Sequence, residues 1–367
     1  MPFLRRKEGG MSQKIYSRRE LMMKAPIPLE KQYLTFKVLS EGTITIVSTN
    51  SSSNRTIYYS TNGGQTWTAI SSSTTVTSLG TFNEGDEILV KGNNRSYSNG
   101  ASYYTHFGGT ARVEMRGNFL SLIYGDSFRG KYNTYTTNYG CNSLFRSWTT
   151  LVSAKDLILC ATTLTSRCYQ WLFTGCSSLK EPPQILPATI LASMCYYGMF
   201  SGCSSLLYAP VIKATVAASQ SMYQMFSSCA SLTQAPEILL TTVANDCCHS
   251  MFANCKKLVS VPVELPATIL ATGCYNYMFD GCSSITTAPV LPALTLAATC
   301  YDRMFRSCSK LRYVKAMFTT TPSTSYTSNW LYGVSESGTF VKNSAAEWDV
   351  RGVHGIPNNW TIETADE

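Results

Sequence analysis

Fourteen cysteines, three histidines and a thin scatter of carboxylates are the side chains in this chain with chemistry to offer. All fourteen thiols fall between residues 141 and 308. Five pairs share a spacing of eight: Cys168/Cys176, Cys195/Cys203, Cys247/Cys255, Cys274/Cys282 and Cys300/Cys308. A zinc site wants Cys-x2–4-Cys spacing or accompanying histidines. A spacing of eight, with histidines at His106, His249 and His354, does not supply it. A disulfide framework is the second chemistry, and it belongs to exported proteins. The opening MPFLRRKEGG has no apolar export signal. The expectation is therefore buried, mostly reduced thiols acting as small apolar side chains. Catalysis needs a converging site. Cys248 and His249 are chain neighbours and do not share a helix face. Glu181, Glu237, Asp246, Glu264, Asp280 and Asp302 fall at differing places, and no phosphate-loop, dinucleotide or zincin motif appears. No catalytic residue, cofactor or metal is expected.

The cysteines sit in a repeat, Cys-Tyr-x-x-Met-Phe-x-x-Cys-x-Ser-Leu-x-x-Ala-Pro. Its phenylalanine anchor recurs at Phe145, Phe173, Phe200, Phe226, Phe252, Phe279 and Phe305, at intervals of 26 to 28 residues. Three residues on comes Trp148, then Cys176, Cys203, Cys229, Cys255, Cys282 and Cys308. Six residues on comes Leu, or Ile285 in one repeat. Cys168, Leu172, Cys176 and Leu179 lie at i, i+4, i+8 and i+11, which reads as one face of a short helix. The Ser-Leu-x-x-Ala-Pro piece reads as a very short strand that proline ends. One helix and one short strand per unit is a leucine-rich-repeat plan. Such a unit buries its apolar face only by stacking on its neighbours. The anchors are expected to form one column, closed at one end by Trp148 and at the other by an aromatic cap containing Phe340, Trp348 and Trp360.

Residues 33–124 have another texture. Segments 33–38 and 42–47 alternate apolar and polar residues, with turn signals at Asn62-Gly63-Gly64 and Asn83–Asp86. Short strands at regular spacing argue for an antiparallel β-sandwich. Ser60-x-Asn62-x-Gly64-x-Thr66-Trp67 resembles the Asp-box turn of sialidase-type propellers, with Asn in place of Asp. In such a turn polar side chains bond the loop backbone, glycine supplies a positive φ and Trp packs beneath. A single copy reads as structural.

The formal net charge is +8, and residues 1–31 carry eight basic against three acidic side chains. Arg5, Arg6, Lys7, Arg18 and Arg19 head a basic arm, read as an anchor on an acidic partner or as a solvated tail. No nucleic-acid-binding signature follows the arm, and no apolar stretch of 18 residues occurs, so neither nucleic acid nor membrane insertion is expected. The resulting division is a basic arm over 1–31, a β-sandwich over 32–124, a junction over 125–140, repeats over 141–335 and a cap over 336–367.

The repeat over about 141–335 closely resembles the BspA-like leucine-rich repeats in their Met-Phe-x-x-Cys-x-x-Leu variant. The order of blocks YLTF (33–36), YYSTNGGQTW (58–67), LVKGN (89–93), GNFLSLIYGDSF (117–128), GTFVKN (338–343) and GIPNNW (355–360) is similar to leucine-rich-repeat proteins of phages and prophages of gut bacteria. The resemblance implies an α/β solenoid of leucine-rich-repeat type preceded by the sandwich. It also implies surface adhesion or receptor recognition. The expected protein is a virion component of tail- or head-fibre type, assembled in the host cytoplasm. It is held to other virion proteins by its arm and binds a host-surface glycan or protein. A bacterial cell-surface adhesin is the alternative, and a glycan-acting enzyme the third. Fibres of this kind are commonly trimeric, although no heptad segment supports a trimer here. Ligand contacts are expected at repeat-variable exposed positions after each leucine, namely Lys180, Tyr208, Gln234, Thr287, Arg312 and Tyr313.

Overall fold

The computed structural model describes residues 27–100, 102–132 and 138–365. The arm residues Arg5, Arg6, Lys7, Arg18 and Arg19 lie outside the described residues. Among the described residues, no helix is long and apolar enough to cross a membrane.

The N-terminal strands are β1 (Leu34–Ser40), β2 (Gly42–Ser48), β3 (Thr56–Ser60), β4 (Thr68–Ser71), β5 (Thr77–Phe82), β6 (Glu87–Gly92), β7 (Thr105–Gly109) and β8 (Arg112–Asn118). With β9 (Leu151–Ile158) they form a six-stranded sheet of order β4-β3-β6-β1-β8-β9 and a three-stranded sheet of order β5-β2-β7. Alternation builds the core between them. Phe36 of β1 and Phe107 of β7 are both fully buried and meet edge-on at 5.3 Å. The outermost strand, β9, comes from the first repeat and runs parallel to β8. A short helix α1 (Ser121–Tyr124) follows β8.

In the repeats the seven anchor rings form one column. Phe173–Phe200, Phe200–Phe226 and Phe226–Phe252 each stack at 5.5 Å, within 5° of parallel, and Phe279–Phe305 stack at 5.6 Å. The expected α/β leucine-rich-repeat solenoid behind a purely antiparallel sandwich is nonetheless overturned. Strand makes up 26% of the structure and helix 5%, in several small sheets. No repeat contains the α-helix read from its four-residue spacing. Parallel pairing between repeats is limited to β10 (Ile185–Leu186) on β11 (Val211–Ile212) and to isolated bridges such as Gln234–Ser260. The N-terminal sheet is mixed rather than antiparallel, because β9 joins it in parallel.

The physical reason lies in the backbone. The segment that reads as a helix is a ribbon of tight turns with a left-handed residue at every fourth position: Arg167 (φ 59°), Trp171 (φ 55°) and Gly175 (φ 75°) in one repeat. Alternate N–H groups point in opposite directions. Gln170, Leu172 and Thr174 donate to the carbonyls three residues back, at 3.2 Å each. Between them, Tyr169 donates to Cys195 O (3.0 Å), Trp171 to Tyr197 O (2.8 Å) and Phe173 to Met199 O (2.9 Å) in the next repeat. An α-helix keeps its hydrogen bonds to itself. This ribbon spends half of them on its neighbour, which satisfies the buried backbone and fixes the register. Its period of four places Cys168, Leu172 and Cys176 inward, as a helix would.

The thiols have a specific task. Each cysteine three residues after an anchor donates its S–H to the anchor carbonyl of the preceding repeat: Cys176 to Phe145 O (3.0 Å), Cys203 to Phe173 O (3.1 Å) and Cys229 to Phe200 O (3.2 Å). Cys255, Cys282 and Cys308 do the same, at 3.1, 3.0 and 3.1 Å. All fourteen cysteines are unbridged, and all but Cys160 are buried.

Aromatic residues close the two ends. Trp148 packs edge-on against Phe36 at 5.2 Å and donates to Thr150 Oγ1. At the far end β12 (Tyr313–Ala316), β13 (Thr339–Lys342) and β14 (Thr361–Thr364) form a parallel sheet. There the indole N–H groups of Trp330, Trp348 and Trp360 bond Gly355 O, Phe318 O and Ser335 O. The very short helix α2 (Thr324–Thr327) precedes Trp330.

Candidate recognition face

The leucine column of the repeats, from Leu179 through Leu206, Leu232, Leu258 and Ile285 to Leu311, is fully buried. The two residues after each member are thereby turned outward, and rung hydrogen bonds set them above one another. Leu207 N donates to Lys180 O (3.0 Å), Val259 N to Thr233 O (3.0 Å) and Arg312 N to Thr286 O (3.0 Å). Gln234 bridges to Ser260 and Thr287 to Tyr313. Lys180, Tyr208, Gln234, Thr287 and Arg312 are exposed and Tyr313 is half-buried. All six expected ligand positions therefore follow one face.

Part of that face is concave. A groove of about 670 Å³ crosses three successive repeats and takes in Tyr208 and Gln234. Lys180, Thr287, Arg312 and Tyr313 do not line it. Pro210, Pro236 and Pro262 stiffen its walls, and Lys213, Glu237 and Glu264 supply charge. Its apolar contacts are unusually open: Val211 is 52% exposed and Val263 89%. Burial pushes the Tyr208 phenol above its ordinary pKa, and the neighbouring Glu181 carboxylate adds to the effect. The phenol is thus a neutral hydrogen-bonding group beside a fixed carboxylate, which also accepts from Ser153 Oγ at 2.7 Å.

Sequence reasoning stopped two residues after each leucine and missed the rest of the groove. The signal was present: Val211, Glu237 and Val263 each directly follow the proline of their repeat, and they differ from one repeat to the next.

A second outer stripe was also missed. Trp171 meets Tyr197 edge-on at 5.7 Å. Tyr197 stacks on Tyr223 at 4.7 Å, Tyr223 on His249 at 4.4 Å, and His249 lies 5.5 Å from Tyr277. Arg146 covers the Trp171 end at 5.3 Å and Arg303 the Tyr277 end at 5.2 Å. Most of these ring faces are taken up by one another, so the stripe presents mainly edges to solvent. It zips repeats together and offers a ligand less than the groove does. Burial lowers the His249 pKa, against the opposing pull of Asp246 at 3.7 Å. Cys248 beside it faces the core, and its thiol is pushed up by the Cys247 hydrogen bond and by burial. Asp302 is raised by burial. Among the described residues, no group of three or more His, Cys, Asp or Glu is placed to hold a metal ion.

No protein-family model matches the chain, and no curated protein and no solved structure is significantly similar to it.

Proposed function

We propose that this protein is an adhesion component of a virion, of tail- or head-fibre type, and that it recognises a glycan or protein of the host surface through the groove at Tyr208 and Gln234. The observation that carries the reading is the groove itself. It combines open aliphatic contacts, proline-stiffened walls and hydrogen-bonding side chains that change from repeat to repeat on a constant scaffold, which is how repeat proteins build recognition surfaces. The resemblance of the order of sequence blocks to phage-type proteins is what suggests the virion setting, with the basic arm as the attachment segment.

The test is adsorption of the purified protein to bacterial cells and to arrayed surface glycans. Tyr208→Ala combined with Gln234→Ala should lower adsorption by about tenfold or more at an unchanged thermal midpoint, the loss expected for two central contacts. Adsorption equal to the parent protein would remove the groove from consideration. Immunogold labelling of purified particles tests the setting: label on bacterial walls and none on virions would replace the virion reading with a bacterial adhesin.

A further inference from the structure

The six-stranded sheet carries a second concavity on its outer face, remote in sequence from the groove. Along β6, Ile88 and Val90 point into the core, which leaves Lys91 on the outside. Tyr58 of β3 is its cross-strand partner. The Ser60–Trp67 turn delivers an indole beside them. Its hydrogen bonds are those expected of an Asp-box-like turn: Gly64 N–H donates to Ser60 Oγ (2.9 Å) and Thr66 N–H to Asn62 Oδ1 (3.0 Å), with Gly64 at φ 89°. From the other side come Tyr124, at the end of α1, and the turn Gly125–Phe128 with Asp126 and Ser127. Tyr58, Trp67, Lys91, Asn93 and the Tyr124–Ser127 stretch border an open, shallow concavity of about 510 Å³, a volume that suits a small ligand.

The polar groups are pre-positioned. Lys91 Nζ donates to both oxygens of Asp126, at 2.8 and 2.9 Å, and the Tyr33 hydroxyl donates to Oδ1 at 2.6 Å. The same ammonium sits 4.1 Å from the Trp67 ring centroid, and Tyr33 meets Trp67 edge-on at 5.0 Å. Oδ1 thus has two donors and Oδ2 one, on a carboxylate whose side chain is 66% exposed. Oδ2 keeps acceptor capacity toward the pocket. The Lys91 hydrogen bond, followed by that from Tyr33, holds the Asp126 carboxyl below its ordinary pKa, so it stays an acceptor at neutral pH.

We infer that this pocket is a second binding site and that its ligand is a neutral saccharide. Within the lining itself the charges of Lys91 and Asp126 pair at contact distance. Arg129, 5.2 Å from the Tyr33 ring, and Lys131, 5.8 Å from the Tyr124 ring, stand behind the wall and do not line it, so the lining offers no unpaired charge to an ion. The rings of Tyr58 and Tyr124, with the Trp67 indole that carries the Lys91 ammonium as a third wall, suit the C–H surface of a pyranose ring. A fixed carboxylate oxygen, the Asn93 amide and the Ser127 hydroxyl suit its hydroxyl groups, which act as both donors and acceptors. The inference is independent of the groove, because the two sites share no residue.

The experiment is saturation-transfer NMR on the full chain, with lactose, cellobiose and chitobiose as neutral probes and sialyllactose as a charged comparison. At least one neutral disaccharide should bind. Asp126→Asn, close to isosteric, and Trp67→Ala should each weaken that binding by about tenfold or more, the loss expected for one charge-assisted hydrogen bond or one stacking wall. Tyr208→Ala should leave it unchanged. If Trp67→Ala does not fold, Asp126→Asn decides alone. Binding of none of the neutral probes, preference for sialyllactose, or neutral binding that survives Asp126→Asn would overturn the inference.

Discussion

The smallest unit of this architecture is one thiol and one ring. Each thiol fills a core position of small volume and also answers the carbonyl of a neighbouring anchor, a task that Ala or Val at the site would leave undone. Burial pushes Cys168, Cys176, Cys255 and Cys300 up to about 12 from an ordinary 9.0. At pH 8 they are neutral in the folded state and poor nucleophiles. Alkylation of the native protein with iodoacetamide should therefore label Cys160, the half-buried one, ahead of the other thirteen, and mass spectrometry reads the order. Rapid labelling of Cys229 or Cys203 would contradict the thiol ladder. The same shifts have a stability consequence. Below pH 9 these thiols are protonated in both folded and unfolded chains. Between about 9 and about 12 the unfolded chain loses protons that the folded chain keeps, so stability should fall as pH rises through that window. Urea midpoints at pH 7, 9 and 10.5 check the sign. In the ring column, Phe226 is fully buried between Phe200 and Phe252. Replacing it by Ala should destabilise the fold by about 3–5 kcal/mol, measured by chemical denaturation, and an unchanged midpoint would refute the column.

At the scale of the element, the question is why a run of turns read as a helix. Cys168, Leu172 and Cys176 share a face in either case, and a segment of one or two turns cannot separate a period of 3.6 from a period of four. The discriminating residues are the ones two positions past each anchor: Ser147, Gly175, Gly202, Ser228, Asn254, Gly281 and Ser307. All have positive φ. Glycine or a small polar side chain at a fixed place in every unit is poor helix chemistry and good left-handed turn chemistry. These residues distinguish the ribbon from a helix, whereas the four-residue spacing of the apolar positions does not. A Cβ on Gly202 would meet nothing closer than 3.7 Å, so any penalty there is conformational rather than steric. Gly202→Ala should cost about 1–2 kcal/mol, the typical penalty for an L-residue in this region, while Ser228→Gly should be neutral or stabilising. Equal losses for both substitutions in thermal denaturation would refute the ribbon. The strands were read more easily, because alternation over 33–38 and 42–47 has no competing interpretation. The pairing of β9 with β8 was hidden, since it joins segments more than thirty residues apart by backbone bonds that no side-chain pattern marks. The groove is half legible: Tyr208 and Gln234 follow from the variable-position rule, whereas Val211, Glu237 and Val263 lie just beyond the proline that ends the short extended piece of each repeat.

Across the whole molecule, the N-terminal sheets and the repeats share one apolar core. Phe107 and Phe119 each lie within 6.0 Å of Phe145, the first ring of the column, and Trp148 meets Phe36. The full chain should accordingly melt in a single transition by calorimetry. A fragment starting at residue 141 would expose Phe145, Trp148 and the edge of β9, and it should self-associate in size-exclusion chromatography. A monodisperse fragment as stable as the parent would show two independent cores. The alternating direction of the N–H groups carries a last consequence. Because every interior unit offers its neighbours the same carbonyls, ring and thiol, one whole unit between Phe173 and Phe279 can be gained or lost by recombination without disturbing those on either side. Each such event would change the molecule's reach by about the 5.5 Å ring spacing and would shuffle the outward residues beside it. Gene lineages can thus vary the length and the outer surface of the molecule through copy number, provided that the tryptophan-closed ends are kept.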